Sequence, residues 1–184
     1  AWTLSISIWV FIANLPALWL FYVGLINITL LLYFEQTTTV YTPNVVYASL
    51  LVINAVILIF VHYYKEQHTK LRIPNYLTYT IALAVAINAT IGISNGFFEN
   101  SSAAFGFLIS ATILLYSLGI VYALTFKRSY YIALIAFSSI IIIAACLIRL
   151  SNESLMFFIV SLFIVGSTTL VIKQLLILQE KWKL

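Results

Sequence analysis

The sequence predicts an all-α fold, a polytopic transmembrane helical bundle with six full spans and a partial one at its start. Three observations predict it. Of 184 residues, 64% are hydrophobic and 8% charged, whereas a soluble domain carries about 25% charged residues. The apolar residues come in unbroken runs near the ~20 that a helix needs to cross a hydrocarbon core of about 30 Å. The alternation of apolar and polar residues that marks a barrel strand does not occur. With a mean hydropathy of +1.10, this composition excludes a soluble globular domain, a disordered chain and a disulfide scaffold.

From Trp2 to Phe34 there is no charged residue, and 33 positions are too many for one span and few for two. Asn14-Leu15-Pro16 interrupts the run, because proline lacks a backbone N–H and turns the residue before it away from helical geometry. The reading is a partial segment over 2–13, a turn, and a full span over 17–34; one long kinked helix is the alternative. Spans over 45–64, 76–94, 105–126, 130–148 and 155–172 follow, each 18 to 22 residues without Asp, Glu, Lys or Arg. Short polar connectors separate them: Glu35–Asn44 with Pro43, Lys65–Asn75 with Pro74, Asn95–Ala104, Lys127–Ser129 and Arg149–Ser154. The tail Lys173–Leu184 sets Leu175, Leu178 and Trp182 at helical spacing beside Lys181 and Lys183. It reads as a continuation of the last span or as an interfacial helix drawn to anionic lipid. Residues 1–184 are read as one transmembrane domain. The start Ala1-Trp2-Thr3 has neither an initiator methionine nor the charge of a signal peptide, so the chain is expected to be the C-terminal part of a longer protein.

Orientation follows from the basic residues. Lys65, Lys70, Arg72, Lys127, Arg128, Lys173, Lys181 and Lys183 fall on one side and Arg149 alone on the other. The positive-inside rule then places the eight, and the C-terminus, in the cytoplasm. Aromatic residues gather at both sets of span ends, with Tyr63, Tyr64, Tyr76, Tyr79, Tyr122, Phe126, Tyr130 and Tyr131 at the basic side, as expected of rings that prefer the headgroup level. The expected setting is a bacterial inner membrane, with the lipid bilayer and other membrane subunits as partners and no nucleic acid.

No span carries an ionisable residue near its middle, the feature that proton relays, ion pathways and voltage sensors need. His62 and His68 are six apart with no carboxylate cluster, so neither a helical metal pair nor haem ligation is expected; a grouping of His62 with Glu66 around a metal would change that. The span serines have no histidine or lysine at their depth to activate them. Aspartate does not occur, and Cys146 is single. These readings predict no catalytic, cofactor or metal site and no enzyme.

The polar residues at membrane depth are asparagines. Asn27, Asn54 and Asn88 lie on three spans, and an unpaired amide in hydrocarbon costs several kcal/mol. They are expected to act as interhelical glue, or as a polar patch lining a cavity for a neutral or lipid-like ligand. Gly92 with Gly96, and Gly106 with Ser110, are small-xxx-small pairs on consecutive spans, expected to bring those helices close together.

Leu15-Pro16-Ala17-Leu18-Trp19-Leu20 and Leu25-Ile26-Asn27 through Leu32-Tyr33-Phe34-Glu35-Gln36, with a fainter echo in Leu51-Val52-Ile53-Asn54-Ala55, carry a likeness. Over residues 2–60 the chain resembles a bacterial family of multi-span membrane proteins known as a domain of unknown function. In that family a tryptophan-bearing span runs through Leu-x-Asn-x-x-Leu and ends in Leu-Tyr-x-x-Gln. The resemblance implies a longer protein with more spans and brings no catalytic residues. The function expected from all of this is a non-enzymatic membrane subunit or scaffold, with a permease or carrier of a neutral or lipid-like compound as the alternative.

Overall fold

The computed structural model describes residues 2–13, 15–36, 43–67, 74–98, 103–150 and 154–183, and the elements among them are α-helices. In chain order they are α1 (Trp2–Ala13), α2 (Pro16–Gln36), α3 (Pro43–Gln67), α4 (Asn75–Phe98), α5 (Ala103–Thr125), α6 (Ser129–Leu150) and α7 (Ser154–Lys183). Helices α2 to α7 are each long and apolar enough to cross a membrane, so the protein is an all-α polytopic bundle.

Prolines mark three of the helix starts, where a missing N–H costs nothing because the first turn has no carbonyl to bond it. Pro16 and Pro43 are the first residues of α2 and α3, and Pro74 precedes α4, its carbonyl accepting from Leu77 N at 3.2 Å. The Leu15 carbonyl accepts from Leu18 N (3.0 Å) and Trp19 N (3.2 Å), which opens α2 as a helix separate from α1. At the other terminus α7 runs unbroken through Lys173 as far as Lys183. Its 30 residues reach about 45 Å at 1.5 Å per residue, longer than a hydrocarbon core is thick.

α4 is the central helix. It packs against α2, α3, α5 and α6, whereas among the described residues α1 touches α2 alone and α7 touches α6 alone. The main core joins Ala48, Leu51 and Ala55 of α3, Val85, Ala89 and Ile93 of α4, and Leu108 of α5. Small residues alternate with large ones there, which lets backbones approach as membrane helices require. The outward faces stay apolar: Leu114 and Val121 on α5, and Phe158, Leu162 and Val165 on α7, are all exposed.

Helices α3 to α7 run alternately up and down. At one end, here called the basic end, His62 of α3 meets Tyr122 of α5, Tyr79 of α4 meets Tyr130 of α6, and Gln179 of α7 donates to Ser129 of α6 at 3.0 Å. At the far end Tyr47 of α3 lies against Gly92 of α4, and Phe105 of α5 lies against Gly96.

Candidate functional site: polar contacts inside the bundle

Asn27 and Asn54 face each other between α2 and α3 and pair through both amides. Asn27 Nδ2 donates to Asn54 Oδ1 at 3.0 Å, and Asn54 Nδ2 donates to Asn27 Oδ1 at 2.6 Å. Each nitrogen spends its second hydrogen on its own helix, Asn27 on the Val23 carbonyl and Asn54 on the Leu50 carbonyl, both at 2.8 Å. All four N–H donors are therefore used. Asn88 does not join them; its Nδ2 donates one turn back, to the Ala84 carbonyl at 2.9 Å.

A second polar contact joins α4, α5 and α6 through hydroxyls. Ser138 Oγ lies 2.5 Å from Thr90 Oγ1 and also bonds Tyr116 Oη. A hydroxyl has one hydrogen to give, and that of Thr90 goes to the Ala86 carbonyl at 2.6 Å. Ser138 must then donate to Thr90, and Tyr116 to Ser138. The result is a one-way chain that ends on a backbone carbonyl and fastens three helices.

Sequence reasoning missed this cluster. Helical Ser and Thr usually bond the carbonyl one turn back, as Ser49, Ser117, Ser139 and Thr169 do here. Nothing in the sequence separates Ser138 from Ser139, because only the register of three helices puts Ser138 inside.

Of the small residues singled out above, Gly92 and Gly96 make the close approach. A Cβ on Gly92 would stand 2.7 Å from Tyr47 Cβ, and one on Gly96 would enter the Phe105 ring. Gly106 has nothing within 4 Å of where its Cβ would be, and Ser110 is exposed, donating to the Phe107 carbonyl at 2.9 Å. Both lie on the outward face of α5. Asn44, read from sequence as part of a connector, sits instead in the first turn of α3 because Pro43 starts that helix. It is 1% exposed. Its amide, Ser94 Oγ and Thr112 Oγ1 are buried without a hydrogen-bond partner among the described residues. Beside this region Val45, Ser49 and Val52 of α3 and Ala103 and Phe107 of α5 line an apolar groove of about 580 Å³, open along the side of the bundle.

At the basic end the tyrosines divide into two groups. Tyr79, Tyr122, Tyr130 and Tyr131 pack on one another, with Tyr79 stacked on Tyr130 at 4.4 Å and Tyr122 edge-on to Tyr131 at 5.4 Å. Tyr63 and Tyr76 remain exposed, and so does Phe126, whose ring leans on Tyr122 at 4.7 Å. The His62 ring packs edge-on to Tyr122 at 4.6 Å; the Glu66 side chain and His68, Lys70 and Arg72 lie outside the described residues. Among the described residues no three His, Cys, Asp or Glu side chains come together. Cys146 is a free, half-buried thiol on α6.

The α5–α6 turn closes with Phe126 N donating to the Tyr122 carbonyl (3.0 Å) and Arg128 N to the Ala123 carbonyl (2.8 Å). Between them Lys127 has φ 52°, the left-handed position that glycine usually fills at a helix end. A side chain there costs about 1 kcal/mol. Arg128 Nη1 makes a long hydrogen bond of 3.4 Å to Tyr79 Oη, and Tyr130 Oη donates to the Tyr79 carbonyl at 3.1 Å.

The class defined by this fold and these contacts is a multi-pass helical membrane protein whose helices are joined at two places by polar side chains, the Asn27–Asn54 pair and the Thr90–Ser138–Tyr116 chain. No protein-family model, curated protein or solved structure matches the chain.

Proposed function

We propose that the protein is a non-enzymatic subunit or scaffold of the bacterial inner membrane, acting through contacts within the bilayer, with its basic end in the cytoplasm. The observation that carries this reading is the closed Asn27–Asn54 pair. With each nitrogen bonded both to its partner and to its own helix, neither amide has a donor left for a ligand. The eight-to-one division of basic residues supports the orientation, and the likeness over residues 2–60 supports the bacterial setting.

One observation favours the second reading, a carrier of a neutral or lipid-like compound: the apolar groove between α3 and α5 opens sideways, where such a compound would enter from lipid. Thiol accessibility separates the two. In a Cys146→Ala background, cysteines at positions 54 and 88 are expected to resist a membrane-impermeant maleimide, while one at position 129 reacts from the cytoplasmic side only. Rapid reaction at 54 or 88 would establish a water path and favour the carrier. Reaction at 129 from outside the cell would reverse the orientation.

A further inference from the structure

We propose that the α5–α6 turn binds the phosphate of an anionic phospholipid, with Lys127 and Arg128 as its cations and Tyr79 positioning the guanidinium. The turn lies between the ends of two spans, Ala103–Thr125 and Ser129–Leu150, which is the depth of lipid phosphates. The inference rests on the chain spanning a membrane and not on which side the basic end faces.

Three observations converge on the turn. Lys127 occupies a left-handed position where glycine would be easier to accommodate, so its side chain is kept against a local conformational preference. Arg128 is held from two directions, its backbone N–H by the Ala123 carbonyl and its Nη1 by Tyr79 Oη. Tyr79 is itself fixed by stacking on Tyr130 and by the Tyr130 hydroxyl on its carbonyl. One of the five guanidinium N–H groups is thus used for positioning, and the others remain for a bidentate contact to phosphate.

Charge complementarity selects the occupant. Both cations are exposed, and among the described residues neither forms an ion pair. Glu180, one residue beyond the Gln179 that bonds Ser129, is exposed and pairs with neither. Two adjacent cations at headgroup level, without an ion-pair partner among the described residues, attract anionic lipid. The exposed Phe126 ring beside them offers an apolar surface to the first carbons of an acyl chain.

The test uses the full chain purified in mild detergent and native mass spectrometry with added phosphatidylglycerol, phosphatidylcholine or inorganic phosphate. Wild type is expected to retain phosphatidylglycerol in preference to phosphatidylcholine, and millimolar inorganic phosphate is expected not to displace it. Arg128→Gln and Lys127→Gly are each expected to weaken phosphatidylglycerol binding about fivefold, the worth of one cation at a membrane surface. Tyr79→Phe keeps both charges and is expected to weaken binding by less, through the loss of the guanidinium tether. Lys127→Gly also relieves the left-handed backbone, so the lipid-free protein is expected to melt higher; weaker binding in that variant cannot be ascribed to poor folding. Equal binding of the two lipids, or unchanged binding by both Lys127→Gly and Arg128→Gln, would overturn the proposal. Displacement by inorganic phosphate would overturn it in favour of a soluble phosphate. Release of the chain from native membranes by alkaline carbonate would show the failure of the membrane reading itself.

Discussion

Helices α4 and α2 are both apolar and of spanning length, yet half of the α4 span is buried in the bundle and none of the 18-residue α2 window is. α4 is held by shape. Its Gly92 and Gly96 let Tyr47, Leu108 and Phe105 close on its backbone, and its Val85, Ala89 and Ile93 enter the main core. α2 has little such packing to α3 or α4, and Asn27 supplies a directional attachment instead, through the amide pair with Asn54. In lipid, apolar surface alone gives little drive for helices to associate, since the solvent is equally apolar. A helix in this bundle is therefore fixed either by close backbone approach or by a polar contact that cannot be satisfied elsewhere.

The largest expected effect lies on α4. Gly92→Leu forces atoms against Tyr47 Cβ, next to the α3 backbone, and is expected to destabilise the bundle by about 3 kcal/mol or more, from the upper range of overpacking costs. Gly24→Ala, Gly106→Ala and Gly166→Ala, at positions with nothing within 4 Å, are expected to be neutral or to stabilise by up to ~1 kcal/mol through helix propensity. Unfolding in mixed micelles compares the two groups, and equal effects would remove the packing argument for α4.

Next in size, Asn54→Leu leaves the half-buried Asn27 amide without its partner at membrane depth and is expected to cost about 1–2 kcal/mol. Limited proteolysis should show α1 and α2 cleaved earlier while the α3–α6 unit stays protected. Simultaneous loss of protection throughout would mean that α2 is integral to the core.

Ser138→Ala removes two links of the hydroxyl chain and is expected to cost roughly 1 kcal/mol, while Ser139→Ala, which loses only a bond to Ile135, stays within about 0.5 kcal/mol. Circular-dichroism melts of the two variants sharpen the distinction, and similar midpoints would count against the one-way chain. Smallest is Thr112→Val. Its hydroxyl is buried without a partner among the described residues, so the change is expected to be neutral or slightly stabilising; a loss above ~1 kcal/mol would show that the hydroxyl is bonded.

Much of the architecture was legible because bilayer thickness, proline and charge each act locally. Runs of about twenty apolar residues set the spans, and Pro16, Pro43 and Pro74 fall at helix starts for a reason contained in one residue. The polar contacts were legible only in part. That Asn27 and Asn54 need partners follows from the cost of an unpaired amide, but that they choose each other depends on the rotation of two helices about their axes. Asn88 carries the same cost and meets part of it within its own turn. Ser138 and Asn44 gave no signal, since one has an ordinary local alternative and the other lies beside a proline that reads equally as loop. The burial of both is decided by neighbours distant in the sequence.

The claim that α2 is attached through a mutual amide pair is tested most directly by a double-mutant cycle of Asn27→Leu and Asn54→Leu, read as unfolding free energy in mixed micelles. Coupling of about 1 kcal/mol is expected, within the range for polar pairs between membrane helices, with the double variant less destabilised than the two single losses combined. Strict additivity, within ~0.3 kcal/mol, would contradict it.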